Sequence, residues 1–184
     1  VSGFVLLRLA VAAIVGLGIA ASSIAVSGAP AVAQDVVVGP SGLPLPRFVS
    51  LKAARVNLRI GPGRNYSVDW LYLTRGLPME IIQEYDNWRR VRDAEGTEGW
   101  IEQSLLSGRR TAIAAPWQRN KNALIPLLAK ADRNARAVAS LEPGVVGTVE
   151  SCTGEWCRIS VDGHSGWLQQ SQLWGVYPGE RVEG

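Results

Sequence analysis

Few residues in this chain can do chemistry, and their spacing limits what each can do. Two cysteines, Cys152 and Cys157, flank Thr153-Gly154-Glu155-Trp156. Across a hairpin with so short a loop, two strand residues come opposite one another, within the Cα separation a disulfide tolerates. Two buried free thiols and a metal site are the alternatives. The single histidine, His164, lies in the loop Asp162-Gly163-His164-Ser165-Gly166. Two cysteines and one histidine are too few for a closed zinc site, so neither metal nor any other cofactor is expected. A Ser-His-Asp mechanism would have to use His164, and an imidazole at a loop tip is usually solvated. Glu95 and Glu98 could suggest paired-carboxylate sugar cleavage, but they flank a hairpin tip rather than a pocket. Gly61-Pro62-Gly63 has the glycines of a phosphate loop without the Lys-Ser/Thr or the helix pattern that should follow, so it reads as a turn. No catalytic set assembles, and the sequence argues against an enzyme.

The elements that position these residues are written twice. NWRRVRDAEGTEGWI, Asn87 to Ile101, returns as EWCRISVDGHSGWL, Glu155 to Leu168. Each copy places a Trp three residues before a β-branched Val91 or Ile159 and closes on Gly-Trp, at Trp100 or Trp167. That pattern is a strand, a tight turn and a second strand. Gly76 and Gly144 each lie twelve residues before the first Trp of their copy, and Ser104/Leu106 match Ser171/Leu173 downstream. A fixed offset over so many positions marks an internal duplication. Short β-branched and aromatic runs about ten residues apart, separated by Gly and Pro clusters, predict an all-β chain of two tandem small barrels. Each module is of a size that is marginal for a core on its own. Trp88, Trp100, Trp156 and Trp167, at positions repeated in both copies, are therefore expected as core aromatics.

The expected organisation is a signal peptide over residues 1–33, a flexible Gly/Pro-rich linker over 34–47, a first module over 48–114, a link over 115–121 and a second module over 122–180. The leader rests on the apolar run from Phe4 and on Ala31-Val32-Ala33 before Gln34, which places cleavage after Ala33 and the mature protein in the periplasm or outside the cell. An uncleaved anchor is the alternative, because the run is long enough to span a bilayer. No other integral membrane segment is expected. Export also favours the Cys152–Cys157 bond. Trp117 and Trp174 are candidates for contact between the modules, or for exposed aromatics in a groove. Between Arg47 and Lys121, thirteen basic side chains face eight acidic ones. An exported protein rarely meets nucleic acid, so anionic cell-wall polymer or a membrane surface is the expected counter-charge, unless the face is simply solvated.

VNLRIGPGRNY, from Val56, resembles the bacterial SH3 (SH3b) domain. The resemblance continues through RGLPMEII, the Asn87-Trp88 and Val91 pattern and the EGWI…SLL ending, and covers residues 50–108. The longer strings resemble a two-module SH3-like family of exported bacterial proteins. This implies five- to seven-stranded SH3-like barrels and a role in binding cell-wall peptidoglycan or peptides. The resemblance also implies that the Gly-Pro-Gly loop borders the ligand groove. The second module has LLAKADR there and departs from the pattern, so the first is the expected binder.

Comparison of the copies singles out the ligand-binding candidates. Tyr66 and Trp70 align by the common offset with Asn134 and Val138, so no shared barrel requires these aromatics. Beside them stand Arg59 and Arg64. Aromatic faces next to guanidinium groups stack on sugar or proline rings and hold a carboxylate. The expected partners are peptidoglycan or a periplasmic protein or peptide.

Overall fold

The computed structural model describes residues 37–121 and 123–184; the expected signal peptide lies outside the described residues. The chain there starts with a two-stranded ribbon, β1 (Val37–Val38) and β2 (Pro44–Leu45). This segment was expected as a flexible linker, and the structure corrects that. The Ser41 amide and hydroxyl donate to the Glu84 carboxylate at 2.9 and 2.8 Å, and Leu45 packs against the first core. Local composition favours an extended chain, but hydrogen bonds to a residue 43 positions away fix it.

The first barrel consists of β3 (Arg47–Leu51), β4 (Val56–Arg59), β5 (Val68–Tyr72), β6 (Pro78–Tyr85), β7 (Trp88–Arg92), β8 (Glu98–Glu102) and β9 (Leu106–Ser107). All neighbours are antiparallel, in the order β5-β4-β8-β7-β6-β3-β9. The second consists of β10 (Thr111–Ala114), β11 (Ile125–Leu128), β12 (Ala137–Leu141), β13 (Val146–Thr153), β14 (Trp156–Val161), β15 (His164–Gln169) and β16 (Leu173–Trp174), in the corresponding order β12-β11-β15-β14-β13-β10-β16. An extra strand, β17 (Arg181–Val182), pairs with β13. The bulges repeat as well, between Ile81 and Gln83 in the first barrel and between Val149 and Ser151 in the second. The expected all-β tandem is what forms.

One boundary moves. Thr111–Ala114, assigned from sequence to the first module, pairs with β13 and β16 of the second. The expected link over 115–121 is therefore an insertion between the second barrel's first two strands, and it includes a single 3₁₀ turn, Pro116–Gln118. Strand partners of this kind are non-local, and a short apolar run does not name them.

The cores are aliphatic. Leu51, Val56, Leu58, Met79, Ile81, Val91 and Ile101, with Tyr72, fill the first barrel, and Leu127, Cys157, Ile159 and Leu168 are among those filling the second. No tryptophan belongs to either cluster. On β8, Gly99 and Ile101 are buried, so strand alternation puts Trp100 on the opposite, outer face with Glu98 and Glu102. Trp88, Trp156 and Trp167 likewise alternate with the inward residues of their strands. Trp156 is buried nonetheless, whereas the other three are partly exposed. The expectation of core aromatics is corrected for Trp88, Trp100 and Trp167, which brace the outside of each sheet, while Trp156 is buried. A glycine is required beneath Trp100, because a Cβ on Gly99 would overlap the Leu58 side chain.

The barrels are docked together. Phe48 of β3 lies edge-on to Trp174, ring centroids 5.1 Å apart, and 4.7 Å from the Tyr177 ring. Arg110 covers the same phenyl and forms a bidentate pair with Glu180. The Tyr177 hydroxyl donates to Glu80 of the first barrel at 3.0 Å, and the Thr111 hydroxyl donates to the Gly76 carbonyl at 2.7 Å. Trp174 thus makes the expected inter-module contact. Trp117 is 55% exposed.

Candidate functional site

The catalytic alternatives find no support in the geometry. His164 is exposed on its hairpin. Glu95 pairs with Arg119 at 2.8 Å and Glu98 with Arg90 at 2.9 Å, both on the surface of the β7–β8 hairpin. Cys152 and Cys157 are an opposed pair in the β13–β14 register, with Cα atoms 4.1 Å apart, and form a disulfide. Among the described residues, no group of three or more His, Cys, Asp or Glu side chains is placed to hold a metal ion. Among them too, no helix is long and apolar enough to cross a membrane.

The four sequence candidates all fall on the β4–β5 hairpin of the first barrel. Arg59 ends β4, and its guanidinium donates to the Tyr66 carbonyl at 2.6 Å, tying the loop closed at its base. Tyr66 lays its ring over the Gly61-Pro62-Gly63 turn, where a Cβ on Gly61 would overlap the ring itself. The turn is therefore a seat for an aromatic, with no room for a side chain beneath it. Tyr66 remains 42% exposed and Trp70 57% exposed. Arg64 reaches across to Glu102 of β8 at 3.0 Å, with most of its side chain in water. Such a pair contributes little to stability and can be exchanged for a ligand carboxylate.

The hairpin gathers more apolar surface than the four residues suggest. Of the twelve exposed large hydrophobic side chains among the described residues, six lie between Ile60 and Leu73: Ile60, Tyr66, Val68, Trp70, Leu71 and Leu73. The matching hairpin of the second barrel supplies none. Strand register makes the comparison residue by residue. Leu58 pairs with Trp70 as Leu127 pairs with Ala139, so Trp70 corresponds to Ala139 rather than Val138, and Tyr66 to Ala135 rather than Asn134. Arg59, opposite Trp100, corresponds to Leu128 opposite Trp167.

Two aromatics missed from sequence extend this surface. Trp100, on the outer face between Arg59 and Arg90 in register, lies 6.5 Å from the ring of exposed Tyr85. The signal that could have found Trp100 is its place between Gly99 and Ile101, both of which point inward. Under the hairpin the barrel is held firmly. The Tyr72 hydroxyl donates to Asp93 at 2.8 Å, and Asp93 accepts the Glu95 and Thr97 amides at 3.0 and 2.8 Å. Burial first, then the Asp93 carboxylate, pushes the Tyr72 phenol far above its ordinary range, so it stays a donor.

The bacterial SH3 domain family model matches residues 52–108 and 121–175 of the chain, and neither match is a catalytic domain. No curated protein matches it. Similar solved structures include NlpC2 from Trichomonas vaginalis, 12% identical, over 70% of this chain and 48% of that one, with a TM-score of 0.31. NlpC1 from the same organism is 12% identical over 75% of this chain and 48% of its own, at 0.31. An NlpC/P60 family protein from Bacillus cereus is 9% identical over 70% and 56%, also at 0.31. The chain spans about half the length of these proteins. With the family model covering both barrels, the chain belongs to the bacterial SH3 domain family, as two such domains in tandem.

Proposed function

We propose that this is an exported, non-enzymatic protein, periplasmic or secreted, that binds cell-wall peptidoglycan or associated peptides through its first barrel. The observation that supports this reading best is the concentration of exposed Ile60, Tyr66, Val68 and Trp70 on one hairpin, with Arg59 and Arg64 beside them and nothing equivalent on the second barrel. Aromatic faces stack on sugar rings, and the guanidinium groups donate to the carboxylates of stem peptides. The second barrel then acts as a docked structural partner. The test is co-sedimentation of the mature protein with purified sacculi at two salt concentrations. Wild type should pellet at both, and the Tyr66→Ala/Trp70→Ala double variant should remain in the supernatant. Equal behaviour of the two proteins overturns the proposal, and loss of pelleting at high salt alone reduces it to electrostatic adhesion.

A second reading, a periplasmic protein–protein adaptor, is favoured by one feature. β5 is the end strand of its sheet and bears exposed Val68, Trp70 and Leu71, so an extended peptide could add to that edge. It predicts no sacculus binding, together with a defined cross-linked partner that is lost in the Trp70→Ala variant.

A further inference from the structure

Ion pairing sorts the basic side chains of this chain into two groups. Arg47, Arg64, Arg89, Arg90, Arg92, Arg110 and Arg119 all meet carboxylates. Several others have no carboxylate within ion-pair distance among the described residues, and three of these, Lys52, Arg75 and Arg109, line one groove between the barrels. The groove has a volume of about 480 Å³, a size suited to a small ligand.

Both barrels build it. Lys52 follows β3, Arg75 precedes the turn at Gly76, and Arg109 lies between β9 and β10, while Thr148, Ser160 and Asp162 come from the second barrel. Arg109 is aimed rather than loose: its guanidinium donates to the Thr148 hydroxyl at 2.9 Å. The Thr111 hydroxyl, bonded to the Gly76 carbonyl, joins the two walls, and the Phe48–Trp174–Tyr177 contact sets their orientation. Asp162 is the sole carboxylate of the lining, so three cations face one anion.

We propose that this inter-barrel groove is a second binding site, distinct from the β4–β5 hairpin, and that it takes an oxyanion, a phosphate or carboxylate group, held by Lys52, Arg75 and Arg109. The walls are docked before any ligand arrives, so the site is preorganised and little ordering cost opposes binding. Guanidinium forks recognise either oxyanion in bidentate fashion, and the neighbouring hydroxyls supply further donors.

The experiment is titration of the protein with inorganic phosphate and, separately, with citrate, following the amide resonances of Gly76, Gly147 and Thr148 by NMR. Saturable shifts at these residues with phosphate alone assign a phosphate ligand, with citrate alone a carboxylate ligand, and with both a general oxyanion site. The Arg75→Gln/Arg109→Gln variant should weaken the response at least tenfold. Lys52→Gln, which removes no contact within the fold, should weaken it several-fold. Tyr66→Ala/Trp70→Ala should leave it unchanged, which separates this site from the hairpin. Shifts that do not saturate, or that persist unchanged in the Lys52 and arginine variants, overturn the proposal.

Discussion

Glu84 and Arg89 face each other across the β6–β7 hairpin, 3.2 Å apart, in the register position that the second barrel gives to Cys152 and Cys157. The same rung is closed by a buried ion pair in one copy and by a covalent bond in the other. The surroundings correspond too. Gln103 accepts from Arg89 at 2.6 Å, and Gln170, at the matching place after β15, lies against the Cys157 sulfur. In each copy that rung anchors a terminal segment. Ser41 and Arg47 bind Glu84, while Cys152 pairs with Val182 of β17, and Gln170 holds the Glu180 carbonyl and the Gly179 amide.

The Glu84 carboxylate is 1% exposed. Burial would raise its pKa, but the Ser41 amide, the Arg47 guanidinium and the Ser41 hydroxyl outweigh that and bring it down to about 2. A carboxyl lowered on folding stabilises the fold fully above its unfolded pKa of about 4.3, and that contribution fades as pH falls from there through 2. The shift corresponds to about 3 kcal/mol. Urea unfolding of wild type and Glu84→Gln at a series of pH values should show a stability gap at pH 7 that narrows between pH 4.5 and 2. A gap independent of pH would show that the carboxylate is not held in this way.

Breaking the disulfide should act on the other barrel. A bond closing so short a loop contributes about 2 kcal/mol through the unfolded state. The Cys152→Ser/Cys157→Ser variant should lose about that much in urea unfolding. Hydrogen exchange should accelerate in β13, β14 and β17, with β6 and β7 unchanged. Equal loss of protection in both barrels would contradict the local role.

How far the fold is legible in the sequence follows the range of the forces involved. The β6–β7 and β13–β14 hairpins and the Cys152–Cys157 bond are set by neighbours in sequence, and their residues announce them. Thr111–Ala114 is four apolar-tolerant residues whose partners lie dozens of positions away, so its sheet was not readable. The docking of Ser41 depends on a glutamate in another hairpin, and nothing local to GPSGLP signals it. Trp100 illustrates a different limit. Recurrence shows that a residue belongs to the shared scaffold, but both faces of a sheet recur. Only alternation against Gly99 and Ile101 tells inside from outside. At the candidate site, Tyr66 and Trp70 were legible because the second copy lacks them. Tyr85 was not, since its exposure depends on the turn at Asp86, a non-glycine residue with φ of 48°.

Phe48 is the main apolar link between the barrels, set against Trp174 and Tyr177. Truncation to Ala should cost about 3 kcal/mol, at the low end for a buried phenyl because it sits at an interface. The informative readout is cooperativity. Wild type should unfold in one transition, and Phe48→Ala in two, with a larger radius of gyration by small-angle scattering before the first. Phe48→Leu, which keeps most of the apolar volume, should retain the single transition. One transition in the Ala variant at wild-type midpoint would show that the hydrogen bonds of Thr111 and Tyr177 suffice for docking.

The Gly61 turn offers a way to perturb the hairpin surface without removing any of its aromatics. A Cβ at Gly61 would meet three atoms of the Tyr66 ring well inside van der Waals contact, so Gly61→Ala must lift the ring from its seat. The barrel core lies elsewhere, and relief by a partly exposed side chain should hold the stability cost to about 1 kcal/mol. Sacculus pelleting, by contrast, should fall to the level of Tyr66→Ala. Combining the two substitutions should add no further loss, because both remove the same seated ring. A Gly61→Ala protein that pellets like wild type, while its Tyr66 ring resonances show the displacement, would place the binding surface away from this turn. Additive losses would mean instead that the turn's backbone contacts the ligand directly, independently of the ring it supports.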